Sequence, residues 1–125
     1  MVRLLVVDDE SEICEFLKSF FEERNYQVVV ANSGEQALER MKQEKPQVVL
    51  LDIKMPGMDG VQTLKEIKNK YPKAKVIMVT AIETRDKIEE CLRLGADNYI
   101  TKPLSLEYLE KDVRDKIAQL TQAAR

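Results

Sequence analysis

Asp8-Asp9, Asp52, Thr80-Ala81 and Thr101-Lys102-Pro103 each close or follow an apolar run in this 125-residue sequence. Brought together, they would put three carboxylates, one hydroxyl and an ammonium in one place. Two carboxylates ~4 Å apart repel by about 4 kcal/mol at an effective dielectric of about 20. Either their proton affinities rise or a cation sits among them. An oxygen-only donor set selects a hard metal, Mg2+ or Mn2+, that keeps several waters. Such an ion beside a lysine and a threonine suits phosphate oxygens. Asp52 then has a nucleophile's role, attacking a phosphoryl donor and holding an aspartyl phosphate. Taken singly, each residue has plainer work. Asp8 or Asp9 can cap a helix, Asp52 can serve the turn Met55-Pro56-Gly57, Thr80 can close a turn, and Lys102 can face solvent. It is their joint convergence that capping does not explain.

Convergence depends on the elements between them. Leu4-Leu5-Val6-Val7, Val48-Val49-Leu50-Leu51 and Val76-Ile77-Met78-Val79 are apolar without alternation, Gln27 to Ala31 resembles them, and Asn98-Tyr99-Ile100 is a weaker fifth. Such runs are strands buried on both faces, as in a parallel sheet. Helical stripes alternate with them: Ile13, Phe16, Leu17, Phe20 and Phe21; Ala37, Leu38 and Met41 behind a capping box at Ser33 and Gln36; Val61, Leu64 and Ile67; Ile88, Cys91 and Leu92; and Leu109, Val113, Ile117 and Leu120 behind a Ser105 cap. Asn25 and Gly95 offer left-handed stops. Strict alternation predicts a three-layer α/β/α sandwich, with a five-stranded parallel sheet in the flavodoxin-like order 2-1-3-4-5. Ligands in such sheets bind beyond the carboxyl ends of the strands, where four of the five strands here deliver polar groups. Residues 1–125 read as one domain, with Thr121 to Arg125 as a fraying tail.

Composition removes other classes. The chain is 44% hydrophobic and 34% charged, which suits a globular domain rather than a disordered one. No apolar run is long enough to span a membrane, and Met1 does not open a signal peptide, so no membrane association and a cytoplasmic setting are expected. A net charge of −2 argues against direct nucleic-acid binding. Two cysteines, Cys14 and Cys91, read as reduced, core-packed residues. The absence of histidine excludes Ser-His and Cys-His catalysis and histidine-ligated metals.

Over essentially its whole length the sequence resembles the CheY-like receiver domain of two-component response regulators. The matching residues are Asp8-Asp9, Asp52 followed by Met55-Pro56-Gly57-Met58-Asp59-Gly60, Thr80-Ala81, Gly95-Ala96-Asp97, Tyr99 and Lys102-Pro103. The resemblance implies Asp52 as phosphoacceptor, Asp9 as a direct Mg2+ ligand with Asp8 helping through water, and the Lys54 backbone carbonyl as a further ligand. It implies that Thr80, the Ala81 backbone and Lys102 engage phosphoryl oxygens, and that Lys102-Pro103 is cis. It also implies a switch: Thr80 moves inward, Tyr99 follows, and the face of the fourth helix, fifth strand and fifth helix changes. The implied partners are a sensor histidine kinase or histidine phosphotransfer protein and a downstream effector or fused output domain, with a possible dimer through that face. The only enzymatic activity implied is self-directed, the chain's own phosphorylation and dephosphorylation.

Small departures sit around the site. Leu104 stands where many members carry an aromatic residue, and Lys54 and Ile82 flank the path of a hydrolytic water, where a long cation and an apolar group are expected to slow dephosphorylation. Other aspartyl chemistry fits less well. A haloacid-dehalogenase-type hydrolase needs a second aspartate where Lys54 stands. A flavin site needs a phosphate loop where Asp8-Asp9-Glu10 would repel phosphate. A degenerate receiver that only binds partners would not need the intact polar set.

Overall fold

The apolar runs form strands β1 (Arg3–Val7), β2 (Gln27–Ala31), β3 (Val48–Asp52), β4 (Lys75–Thr80) and β5 (Asn98–Thr101). The computed structural model describes residues 1–122. All strand pairs are parallel, in the order β2-β1-β3-β4-β5, as the alternation of elements requires. Between them run α1 (Ser11–Glu22), α2 (Gly34–Glu44), α3 (Gly60–Lys70) and α4 (Ile88–Arg93). A C-terminal helix covers 106–122, with a π-helical stretch at Leu109–Val113.

Alternation along each strand sends neighbouring side chains to opposite faces and so builds two cores. Leu5, Val7, Val49, Leu51, Val76 and Met78 face α2, α3 and α4 through Ala37, Met41, Leu64, Ile67 and Cys91. Leu4, Val6, Val48, Leu50, Ile77, Val79 and Ile100 face α1 and the C-terminal helix through Leu17, Phe20, Phe21, Leu109, Val113 and Ile117. Each fully buried side chain of this kind contributes about 1.5–3 kcal/mol, whereas an exposed pair such as Lys111–Glu107 contributes about 0–1. The two cores therefore hold the sheet edge in place.

The helix ends follow local chemistry. The Ser33 hydroxyl accepts from the Gln36 N–H, Asp59 accepts from Gln62 N–H, and Ser105 accepts from Tyr108 N–H. The reciprocal half of the box at Ser33 is displaced by one residue, because the Gln36 side chain takes the Asn32 N–H. Asn25 and Gly95 both adopt positive φ after α1 and α4.

Several expectations are corrected. Phe16 is 41% exposed, because the buried stripe of α1 is centred on Cys14, Leu17 and Phe21 and leaves Phe16 on its flank. Leu92 is 45% exposed, since Cys91 points to the core and the next residue turns about 100° away. The fourth helix, Ile88–Arg93, contains its whole expected stripe, and a 3₁₀ stretch at Ile82–Lys87 that the stripe did not show precedes it. Thr121 and Gln122 continue the last helix; the rest of the expected tail lies outside the described residues.

Candidate functional site

Register brings the first two carboxylates together. Val7 pairs with Leu51, so the next positions, Asp8 and Asp52, leave adjacent strands side by side about 4.8 Å apart in backbone. By the same alternation Asp8 continues the Leu4–Val6 face, Asp52 the Val48–Leu50 face and Lys102 the Ile100 face. Thr80 continues the opposite face, with Met78.

The backbone under each group is held. The Asp8 N–H donates to Ala31 O, and the Asp8 carbonyl accepts from Asn32 Nδ2 at 3.2 Å and from Cys14 Sγ at 3.3 Å. Asp8 Oδ1 accepts from the Glu10 N–H at 2.9 Å. After Asp52, the Ile53 N–H donates to Val79 O, and the loop to α3 closes with Gly60 N–H on Ile53 O at 2.7 Å. That closure requires glycine, because a Cβ at position 60 would run into the Asp52 carbonyl and Ile53 Cα. The Lys102 N–H donates to Thr80 O at 2.8 Å, and the peptide that follows, Lys102-Pro103, is cis.

One oxygen each of Asp8, Asp9 and Asp52 lies within 4.8 Å of the others. Asp8 and Asp52 are buried, at 3% and 6% exposure, and Asp9 is exposed. Lys102 Nζ stands 3.3 Å from Asp8 Oδ2 and 3.4 Å from Asp52 Oδ2. Burial first, and then the Asp8 charge, push the Asp52 carboxyl up to about 6 in spite of Lys102. Burial alone would lower Lys102, but the two carboxylates more than offset it and raise the ammonium above its ordinary range. The site is short of positive charge. Three carboxylates face one lysine, all donors are oxygen, and Asp9 opens to solvent, which is the chemistry of a hard divalent cation site.

Asp9, Asp52, Lys54, Met55, Ala81, Thr84 and Lys102 share one open cleft of about 490 Å3. Lys54 is exposed, and Thr80 is buried at the end of β4. Tyr99 is 41% exposed and points outward from β5, its ring centroid 6.0 Å from Lys116 Nζ. Asp59 and Asp97 are structural. Asp59 caps α3, and Asp97 Oδ2 accepts from Val76 N–H and from Lys68 Nζ, each at 2.8 Å, at the far end of β4 from Thr80. The sequence reading missed Thr84, whose hydroxyl lies 3.1 Å from that of Thr80. It also missed Asn32 and the Cys14 thiol, which fix the Asp8 backbone. Only the spacing Thr80-x-x-x-Thr84 offered a signal, and a helical turn had to be placed there first.

A family model described as response regulator receiver domain matches residues 4–114. The transcriptional regulatory protein ZraR of Klebsiella oxytoca is 39% identical over 117 residues, which are 94% of this chain and 26% of that protein. The probable transcriptional regulator ycf27 of Guillardia theta is 41% identical over 123 residues, 98% of this chain and 48% of that one. The chain thus spans a quarter to a half of the length of these relatives. Among solved structures, a CheY-like response regulator receiver domain protein from Methanospirillum hungatei JF-1 superposes with a TM-score of 0.88 at 30% identity, covering 98% of both chains. NtrX from Brucella abortus superposes with a TM-score of 0.89 at 26% identity, covering 99% of this chain and 28% of that one.

Proposed function

This chain belongs to the response regulator receiver family, whose general function is a phosphorylation switch, and we propose that Asp52 is its phosphoacceptor. The observation that carries the proposal is the Lys102 ammonium shared between Asp8 and Asp52, with Asp9 within 4.8 Å. Oδ of Asp52 attacks phosphorus, an O–P bond forms, and the P–N bond of a phosphohistidine breaks. The imidazole leaves with the electron pair and its proton. These 125 residues hold no histidine, so the donor is a sensor histidine kinase or histidine phosphotransfer protein outside them.

In this reading Lys102 exchanges a carboxylate oxygen for a phosphoryl oxygen. Thr80 and the Ala81 N–H supply neutral donors to the others. Asp8, Asp9, Asp52 and the Lys54 carbonyl are the residues that would hold Mg2+, with Mn2+ a chemical substitute. The ion supplies the positive charge that the acidic cluster lacks. Catalysis is self-directed: the chain promotes its own phosphorylation and, slowly, its own dephosphorylation. Thr80 is then drawn toward the phosphoryl group, and Tyr99 follows into the space behind it. The surface of α4, β5 and the C-terminal helix changes to engage an effector, an output domain or a second copy. A cytoplasmic setting belongs to the same reading; separately, no helix among the described residues is long and apolar enough to cross a membrane.

Intact-mass spectrometry after incubation with acetyl phosphate tests this. The expected result is a single phosphoryl gain that needs Mg2+, is lost with chelator and is absent in Asp52→Asn. A folded protein that gains nothing, or an Asp52→Asn variant still labelled at unit stoichiometry, overturns it.

A further inference from the structure

We infer that Thr84 is a positioning residue that holds the switch in its resting state by accepting the Ala81 N–H and pairing with the Thr80 hydroxyl, the two groups a phosphoryl group at Asp52 would claim. The inference rests on the phosphoacceptor reading above. Thr84 is 5% exposed and sits on the 3₁₀ stretch that leaves β4. Its Oγ1 lies 3.1 Å from Thr80 Oγ1 and accepts the Ala81 N–H at 3.0 Å. Its own N–H donates to Ala81 O at 3.1 Å, so the hydroxyl is fixed over the end of the strand.

A threonine hydroxyl has one proton and two lone pairs. Here Ala81 N–H takes one lone pair. Either hydroxyl can donate in the Thr80–Thr84 pair, and each has Ala81 O as its other acceptor, at 3.2 Å from Thr80 Oγ1 and 3.3 Å from Thr84 Oγ1. The hydrogen bonds of Thr84 Oγ1 therefore all go to Thr80 and Ala81. Thr84 also lines the same cleft as Asp52 and Lys102. An incoming phosphoryl group must take the Ala81 N–H away from it and part the two threonine hydroxyls. Charge-assisted bonds to a phosphoryl oxygen are roughly twice as strong as neutral ones, so the exchange runs forward. The Thr84 bonds reduce its margin, and so set how completely the switch turns at a given level of phosphoryl occupancy.

The alternative is that Thr84 only closes a helical turn. Two variants separate the readings, because Val keeps the shape and removes the oxygen, while Ser keeps the oxygen. The probe is beryllofluoride with Mg2+, a phosphoryl mimic, titrated by calorimetry and by the amide resonances of Thr80 and Ala81. Thr84→Val is expected to bind about five-fold more tightly than the parent, the equivalent of one net hydrogen bond. Its Ala81 amide should also exchange faster in the absence of the mimic. Thr84→Ser should restore both the parent affinity and the parent exchange rate. Unchanged or weaker binding by folded Thr84→Val overturns the latch alone. If that variant does not fold, the beryllofluoride complex of the parent decides. There the two threonine hydroxyls should separate beyond hydrogen-bond distance, and a preserved pair overturns the inference. A parent that binds no beryllofluoride overturns the phosphoacceptor reading together with the latch.

Discussion

The Lys102 ammonium lies 3.4 Å from Oδ2 of Asp52 and 3.3 Å from Oδ2 of Asp8, so one cation faces two buried carboxylates. Lys102 reaches them from beyond β5, across β4, and its own N–H is tied to Thr80 O. The residue that balances the charge is thus also bonded to the backbone of the residue proposed to move. Lys102→Ala is expected to fold but to lose about 1–3 kcal/mol, the cost of leaving buried charge with less compensation. Phosphoryl uptake should persist at a reduced rate, while resonances near Tyr99 stop responding to it. A Tyr99 face that still responds fully would falsify the coupling.

Charge at Asp52 also sets a pH dependence. Its carboxyl is pushed up to about 6, from an ordinary value of 3.8, by burial first and the Asp8 charge second. The native state therefore holds this proton more tightly than the unfolded chain. The stabilisation is full below pH 3.8 and is lost as pH rises through about 6. At neutral pH without divalent metal, Asp52→Asn should be more stable than the parent by about 1–2 kcal/mol, a value reduced to allow for water at the open cleft. Thermal melts from pH 4 to 7.5 in chelator check this. The difference between the two proteins should open between about pH 4 and 6 and then level off. Parallel curves across that range count against the assignment.

Gly60 tests how closely α3 is drawn against the acceptor. A methyl at this position meets the Asp52 carbonyl and Ile53 Cα, backbone atoms that cannot turn aside. Gly60→Ala should cost about 1–3 kcal/mol and displace Asp52. Uptake from acetyl phosphate should slow at least ten-fold, since a displacement of about 1 Å at a reacting group costs up to 10²-fold. Normal uptake with a normal melting temperature would show that the loop relaxes freely.

Both thiols should be inert. Burial raises Cys14 and Cys91 to about 11, and their exposures are 1% and 0%. At pH 8 the thiolate fraction is then about 10⁻³. A disulfide reagent should find no fast-reacting thiol in the native protein and two in denaturant. Rapid native labelling would indicate local opening at α1 or α4.

Lys54 and Ile82 carry the proposal on lifetime. Both are exposed, Ile82 at 81%; Lys54 lines the cleft at Asp52, and Ile82 follows Ala81, which lines it too. Replacing both with small polar residues is expected to shorten the acyl-phosphate lifetime several-fold, measured by the decay of phosphorylated mass after donor removal. An unchanged decay removes the two side chains from the path.

The strand runs, their alternation with helical stripes and the order of the polar residues were legible along the chain because burial on both faces makes a strand a continuous apolar run, while burial on one face imposes period 3.6 on a helix. Asp8, Asp9, Asp52, Thr80 and Lys102 were legible for the same reason, since each stands where an apolar run stops. Other features belong to the tertiary structure. Which flank of α1 is buried, leaving Phe16 outside, depends on how the helix is rotated against β1 and β2. The same holds for Leu92 on α4. The sharing of Lys102 between Asp8 and Asp52 depends on the register of β1, β3 and β5, which no local pattern carries. The Thr84 hydroxyl over Thr80 depends on a 3₁₀ turn where the residue pattern allowed an ordinary helix. Local periodicity reports that a residue is buried; the hydrogen-bond partner it meets is decided by packing between segments far apart in the chain.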